Sequence, residues 1–276
     1  MPFWPMKFNL WKSLLCLALF ACFDAAGDWV HVTNLNTISI LDGGGLVVPA
    51  QASPYPSTNL ISVPAGLVVS KVLVTLSGFT HSFPSDVSML LVGPQGQQGI
   101  LMSEVGGQNQ FGVSGLTLLL DDDATTTLPV YSSLTSGVFK PTNGYLALQY
   151  PRLPYDFPQP APVGNSNAVA SLSPFKGTDP NGVWKLYVAD DAGGNAGNIS
   201  SGWTLHVSTA VPLNAKKYQD NLVLSWTNVV AGCTLQCAPG VAANWTNVLP
   251  APVVVNGEYT VTNRLWGGTV LYRLVK

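Results

Sequence analysis

The chain has 276 residues and a formal net charge of −2; only 9% of its residues are charged, whereas 47% are hydrophobic. Proteins that bind nucleic acid carry clustered lysine and arginine, so this charge gives no electrostatic basis for that function. The 27 glycines and 21 prolines favour strands joined by turns over long helices.

Residues 1–26 have the features of a secretory signal peptide. Lys7 and Lys12 precede an apolar run over residues 14–23, and small residues follow, ending at Ala26. This order of a basic region, about ten apolar residues and a small-residue exit is typical of such signals. The run is too short for a membrane-spanning helix, which needs about 20 apolar residues. We expect cleavage near Ala26 and a secreted or extracytoplasmic protein.

A lipoprotein signal is the alternative interpretation of the same region. The sequence Leu19-Phe20-Ala21-Cys22 resembles the lipobox of bacterial lipoproteins, in which the cysteine is lipidated and anchors the protein. Phe20 fits that motif poorly, because a small or β-branched residue is usual at its position. We therefore favour ordinary cleavage over anchoring through Cys22.

After an N-terminal extension assigned to residues 27–55, apolar residues recur with the period of two that is typical of strands. Predicted strands cover residues 68–76, 87–92, 116–120, 183–189 and 203–207. The alternation places three sets of side chains on inward faces: Val72, Val74 and Leu76; Trp184, Leu186 and Val188; Trp203, Leu205 and Val207. Residues 87–92 are apolar on both faces, as in a strand buried within a sandwich.

A proline-rich stretch interrupts these strands. Residues 151–162 contain five prolines, which exclude a central strand because proline cannot donate to the hydrogen-bond ladder. We predict a long loop that Tyr150, Tyr155 and Phe157 hold against the sandwich. Loops of this length are uncommon without a structural or functional reason.

The C-terminal part predicts a second, small β-domain. Residues 210–220 are interpreted as a linker, and residues 221–276 as a module with short strands at 222–226, 233–237, 252–255, 258–262 and 269–274. Cys233 and Cys237 would lie about 13 Å apart along one strand, beyond the reach of a disulfide. We expect two half-buried thiols.

Three separated motifs resemble the P domain, also called the P/Homo B domain, of proprotein convertases. Residues 81–96 read HSFPSDVSMLLVGPQG, with a histidine, an aspartate that opens a strand, and a closing Pro-x-Gly. Residues 175–188 read FKGTDPNGVWKLYV, and DDAGGNAG and GWTL follow in order. The resemblance covers residues 56–209 and implies an all-β jelly-roll β-sandwich. The C-terminal module weakly resembles short β-modules that end secreted bacterial proteins.

The resemblance does not bring an enzyme with it. In proprotein convertases the P domain follows and stabilises a subtilisin-like serine endopeptidase domain, but the subtilisin signatures are absent from this sequence. A Gly-x-Ser-x-Gly elbow is absent as well. We therefore expect no catalytic residues and a binding or stabilising role towards a protein or cell-envelope partner. Two alternatives stay open, namely an accessory protein for a separate subtilisin-like peptidase and a carbohydrate-binding module that uses Trp245, Tyr259 and Trp266.

Clustered acidic residues make Ca²⁺ a candidate structural cofactor. Asp121 and Asp123 would share a strand face about 7 Å apart, and Asp190 and Asp191 open a loop rich in glycine and asparagine. Carboxylate and carbonyl oxygens are the ligands that Ca²⁺ takes. The same residue types are also common in turns, so a plain connecting loop is the alternative.

Four further residues are expected to serve the scaffold. Asp86 matches the family's aspartate at the head of a buried strand, where it would accept backbone hydrogen bonds, and His81 could pair with it. Trp184 and Trp203 are predicted core residues. His206 falls on the polar face of its strand and is expected to be exposed.

Overall fold

A computed structural model describes residues 18–20, 29–42, 44–45, 48–107, 112–147, 156–164, 168–239, 244–264 and 270–275. The chain divides into two compact units, one of residues 26–210 and one that joins residues 1–25 to residues 211–276. Strands dominate both units among the described residues. The predicted all-β class is confirmed.

The first strand along the chain, β1 (Ala18–Phe20), belongs to the smaller unit. The larger unit contains β2 (Trp29–Asn34), β3 (Ile38–Ile40), β4 (Gly44–Gly45), β5 (Val48–Gln51), β6 (Ser57–Ile61), β7 (Val68–His81), β8 (Val87–Val92), β9 (Gln98–Ser103), β10 (Val113–Leu120), β11 (Gly137–Phe139), β12 (Thr142–Asn143), β13 (Gly182–Asp190), β14 (Gly197–Ile199) and β15 (Trp203–Ala210). Its short helical segments are α1 (Gly144–Ala147) and 3₁₀ turns at Pro84–Asp86 and Ser173–Phe175.

The described strands of this unit form two sheets of seven strands each. In the first sheet β7 pairs with β10 on one side, and on its other side with β15 and then β14; β2 lies beside β15 and β3 beside β14. In the second sheet β13 pairs with β8 on one side and with β6 and β5 on the other. The two sheets enclose one core.

A bulge at Gly78 lets β7 change partners. Gly78 has φ +78°, which glycine tolerates because it lacks a Cβ, and an added Cβ would overlap the hydroxyl of Ser200. Before this point β7 pairs with β15 up to Leu76, and after it with β14 from Phe79. On this side, β7 therefore pairs with two successive strands of the first sheet, β15 and β14.

The core contains the inward faces that the alternation predicted. All nine residues of the three predicted sets are buried, and Trp184 and Trp203 have no exposed surface. The indole of Trp203, in the first sheet, donates a hydrogen bond of 2.9 Å to Ser57 Oγ in the second. The indole of Trp184 donates to the Pro180 carbonyl at 3.0 Å. Both buried N–H groups thus have partners, as burial requires.

Residues 156–162, the described part of the proline-rich segment, pack against the outer face of the second sheet. Phe157 is buried against Leu90 and Tyr187, and the Tyr187 hydroxyl donates to the Pro160 carbonyl at 3.2 Å. The predicted role of Phe157 in holding the loop is confirmed. Tyr150 and Tyr155 lie outside the described residues.

The N-terminal part of the sandwich differs from the predicted extension over residues 27–55. Residues 29–51 supply β2 to β5, and Ile38 and Ile40 of β3 are buried in the core. The segment is about as rich in apolar residues as the whole chain, but its strands are only two to six residues long and three consecutive glycines interrupt it, so no single run shows a long period of two. These strands are stabilised by their partners β15, β14 and β13.

The smaller unit contains β16 (Asn214–Tyr218), β17 (Asn221–Thr227), β18 (Thr234–Pro239), β19 (Thr246–Asn247), β20 (Val253–Val255), β21 (Glu258–Arg264) and β22 (Val270–Val275). One sheet has the order β1-β22-β18-β19 and the other β16-β17-β21-β20. The segment predicted as a linker over residues 210–220 therefore contains a strand, β16. Its polar sequence reflects its exposure. Cys233 and Cys237 are half-buried thiols.

Candidate functional site: a buried carboxylate cluster

Acidic side chains lie close together where the start of β8 meets the end of β13. Asp86 ends the 3₁₀ turn that leads into β8, and Asp190 is the last residue of β13. The register pairs Asp190 with Val87, and the Asp191 amide donates to the Asp86 carbonyl at 2.9 Å. Backbone pairing therefore fixes three carboxylates close together, and all three are buried.

His81 contacts Asp190, whereas the sequence suggested Asp86 as its partner. His81 Nε2 lies 3.0 Å from Asp190 Oδ2, and neither side chain has any exposed surface. The two atoms are at ion-pair distance without the alignment of a hydrogen bond. The other ring nitrogen, Nδ1, lies 2.9 Å from the Phe83 carbonyl oxygen. His81 ends β7 and Asp190 ends β13, so this contact joins the two sheets.

Gly197 makes room for the imidazole of His81. The two residues face each other in the β14–β7 register, and a Cβ at Gly197 would overlap the ring and the Thr80 carbonyl. A larger residue at 197 would therefore push β14 away from β7. The last glycine of the DDAGGNAG motif thus has a packing role.

Burial gives two carboxyls unusual proton affinity. Burial, followed by the nearby charges of Asp190 and Asp191, raises the pKa of Asp86 to about 7, although Asn195 Nδ2 donates to its Oδ2 at 3.1 Å. Burial and the charge of Asp191 raise the pKa of Glu104 to about 7 as well. Both effects disfavour the charged form of an acid.

Tyr145 completes the cluster. Its hydroxyl bonds to the Glu104 carboxyl and lies 3.5 Å from Asp191 Oδ2. Burial, followed by the neighbouring carboxylates, raises the pKa of this phenol above its ordinary value. Sequence analysis did not identify Glu104 or Tyr145. The available signal was a single glutamate in an otherwise uncharged segment, residues 98–107.

The aspartates at 121–123 form a separate site around Lys71. Lys71 Nζ lies 2.8 Å from Asp121 Oδ1 and 2.7 Å from Asp123 Oδ2, and this hydrogen-bonded ammonium lowers the pKa of Asp123. Asp122 points the other way and accepts from Ser171 Oγ at 2.8 Å and from the Leu172 amide. The triplet thus joins β7 to the loop before β13.

The four predicted Ca²⁺ ligands do not meet at one point. Asp121 and Asp123 hold Lys71, whereas Asp190 contacts His81 and Asp191 contacts Tyr145. Among the described residues, three or more His, Cys, Asp or Glu side chains are nowhere grouped so as to hold a metal ion. The ammonium already supplies the positive charge between Asp121 and Asp123. A bound Ca²⁺ stays a prediction that this geometry does not support.

Lys71→Met is expected to lower the free energy of unfolding by about 1 kcal/mol at low salt, because partly exposed ion pairs contribute little. The loss should shrink at 1 M salt, where screening is strong. Urea denaturation at both salt concentrations measures it. Lys185→Met, on an exposed face of β13, is the matched control. Equal losses in the two variants would mean that the contacts with Asp121 and Asp123 add nothing.

These features define the larger unit as an all-β, two-sheet sandwich in which the contact between His81 and Asp190 is fully buried. The described residues contain no helix long and apolar enough to cross a membrane.

No family model matches the sequence, and no curated protein is significantly similar to it. Among solved structures it is similar to a chain in the crystal structure of the Aeromonas sobria serine protease in complex with its chaperone. The identity is 17% and the TM-score 0.28, over 65% of this chain and 27% of that chain. At these values we draw no functional conclusion from the similarity.

Proposed function

We propose that this protein is a secreted, non-catalytic, P-domain-like module that binds and stabilises a protein partner. Two residues of the motifs that carry the resemblance support this proposal through their positions in the sandwich. Asp86 stands at the head of the buried strand β8, and Trp184 is fully buried in β13. Export and the absence of catalysis are parts of the proposal, and they come from the sequence.

The enclosure of His81 and Asp190 supports a role without catalysis. A general base must come within hydrogen-bond reach of a substrate proton, but both side chains are fully buried. The other two histidines, His31 and His206, contact each other, and His206 also contacts Thr75. His31 and His206 lie apart from the enclosed pair, at the outer surface of the first sheet.

The exposed strand β20 carries the binding role. Val253, Val254 and Val255 are 61%, 57% and 48% exposed. β20 is also the edge strand of its sheet. Within the described residues no strand pairs with its outer edge. Exposed apolar edge strands readily pair with another chain, and adding a strand to such an edge is a common way to bind an extended peptide.

The aromatic residues of the smaller unit offer less support for glycan binding. Arg273 lies over the Trp245 ring at 4.2 Å, and Tyr259 packs against the buried Trp226 with ring centroids 5.6 Å apart. Trp266 lies outside the described residues. A flat, open aromatic platform is therefore not formed by Trp245 and Tyr259.

Val254→Lys is expected to abolish capture of the partner, because a charge at the centre of β20 opposes strand addition. The measurement is affinity capture from the envelope fraction of the source organism with the tagged, processed chain. Val229→Lys is the matched control, since Val229 is also about half exposed in the same unit, at 47%. Equal capture by wild type and Val254→Lys would remove β20 as the binding strand.

The same preparation tests the absence of catalysis and the identity of the partner. Hydrolysis of casein that is lost on mutation of one serine or aspartate would overturn the non-catalytic role. Mixing with a subtilisin-like peptidase should raise the melting temperature of that peptidase if it is the partner, since a ligand of the native state stabilises it. An unchanged melting temperature would direct the search to other envelope proteins.

A further inference from the structure

Two histidines face each other on the outer surface of the first sheet. His31 on β2 and His206 on β15 are directly opposite in the antiparallel register. Their Nδ1 atoms lie 2.7 Å apart, and the ring planes meet at 73°. His31 is exposed and His206 half-buried. Both imidazoles therefore direct the same nitrogen at one point that solvent can reach.

The contact between the two rings requires that one Nδ1 carries a proton and the other accepts it, since two lone pairs or two protons would repel at this distance. His206 Nε2 lies 2.9 Å from Thr75 Oγ1 on β7. In the tautomer with Nε2 protonated, His206 donates to Thr75 and its Nδ1 lone pair points at His31. Burial, followed by the charge of His31, lowers the pKa of His206, which favours this neutral form.

We propose that His31 and His206 bind one divalent transition-metal ion, such as Zn²⁺, Ni²⁺ or Cu²⁺, through their Nδ1 atoms. Imidazole nitrogen suits these ions. At metal–nitrogen distances of about 2.0–2.1 Å, the two nitrogens must move apart to roughly 3.0–3.4 Å, and both rings must turn so that their Nδ1 lone pairs converge on the ion. The proton between the rings moves to Nε2 of His31, so both ligands bind as neutral imidazoles and no net proton is released.

The residues around the two histidines hold the rings in place, as the surroundings of metal-binding histidines do. Metal-binding histidines usually donate their second N–H to a fixed acceptor, and Thr75 Oγ1 is such an acceptor for His206. Trp29 stacks on His31 with ring centroids 6.1 Å apart and planes within 6°, which restricts that ring. Water would complete the coordination of the ion.

The neighbouring side chains explain the expected selectivity. The next pair along these strands, Thr33 and Thr204, joins through hydroxyls at 2.9 Å and brings no carboxylate. Ca²⁺ and Mg²⁺ take oxygen ligands, chiefly carboxylates and carbonyls. The pair should therefore bind Zn²⁺ or Ni²⁺ and leave Ca²⁺ unbound.

The test is calorimetric titration of the full, untagged chain with ZnCl₂ and NiCl₂ at pH 7.5, with CaCl₂ as the reference ion. We expect one ion per chain, and at least a tenfold loss of affinity in His31→Gln and in His206→Gln. Thr75→Val should lose about tenfold through its effect on His206. Thr33→Val, a hydroxyl removed from the same face without contact to either ring, is the matched control and should bind as wild type.

Wild-type affinity in both glutamine variants would overturn the proposal, and so would equal binding of Ca²⁺. Circular dichroism melts show whether each variant is folded. His31 is exposed, so His31→Gln decides the question even if His206→Gln fails to fold. A second readout is the melting temperature, which Zn²⁺ should raise in wild type but not in His31→Gln. The site belongs to the larger unit and β20 to the smaller one, so failure here leaves the proposed partner binding untouched.

Discussion

Trp203→Ala is expected to lower the free energy of unfolding by about 3–5 kcal/mol, the usual range for removing a fully buried aromatic side chain. The indole has no exposed surface and lies between the two sheets. Its loss leaves a cavity, and it also leaves Ser57 Oγ without the N–H that it accepts. Urea denaturation followed by circular dichroism measures the change.

Two control variants test whether the loss of stability in Trp203→Ala comes from the burial of this indole. Trp203→Phe keeps most of the apolar volume and should lose clearly less than the alanine variant. Trp29→Ala removes an indole that is 38% exposed and should change stability by about 0.5 kcal/mol or less, as surface substitutions usually do. A loss in Trp29→Ala as large as that in Trp203→Ala would show that the first sheet is not packed as described.

Asp86→Asn is expected to stabilise the protein at pH 8, and this gain should fall as the pH is lowered. The folded pKa of Asp86 is about 7, against an ordinary 3.8. Above pH 7 the wild type must hold a buried anion near Asp190 and Asp191. Asparagine removes that charge, and its side-chain oxygen can still accept from Asn195.

The direction of the pH dependence is set by the difference in bound protons between the folded and unfolded states. Between pH 3.8 and about 7 the folded state holds the Asp86 proton and the unfolded chain does not. Stability therefore rises as the pH falls through this window. The advantage of Asp86→Asn should accordingly shrink by roughly 1.4 kcal/mol for each pH unit below 7. Glu104, with a pKa of about 7 as well, contributes in the same direction to both proteins.

Urea titrations of wild type and variant at pH 8, 6.5 and 5 measure this difference. Comparison with the wild type removes groups that titrate equally in both, such as His206 and Asp123. Asp220→Asn, which removes an exposed carboxylate, is the matched control and should change stability little. A constant difference between Asp86→Asn and wild type across these pH values would mean that Asp86 titrates normally.

Much of the core could be predicted because alternation reports directly on burial. The sets around Val74, Trp184 and Trp203 have strong period-two patterns, and each lies in the core. The apolar run over residues 87–92 became β8, which is buried along its whole length. In these segments the local pattern and the tertiary environment agree.

Pairings between distant residues could not be predicted from one sequence. His81 contacts Asp190 across 109 positions because β7 and β13 end on the same side of the sandwich, whereas Asp86 was nearer in sequence. Lys71 lies about 50 positions from Asp121 and Asp123, and β10 beside β7 brings them together. His206 was interpreted as simply exposed, because its partner His31 lies 175 positions away and only the pairing of β15 with β2 brings the two together.

The arrangement of β7, β13 and β15 has a consequence for biosynthesis. β13 is the middle strand of the second sheet, and β15 joins β7 to β2, yet both are synthesised last in this unit. Contacts between residues far apart in sequence make folding slow. The two sheets therefore cannot be completed until residues near 210 have left the ribosome.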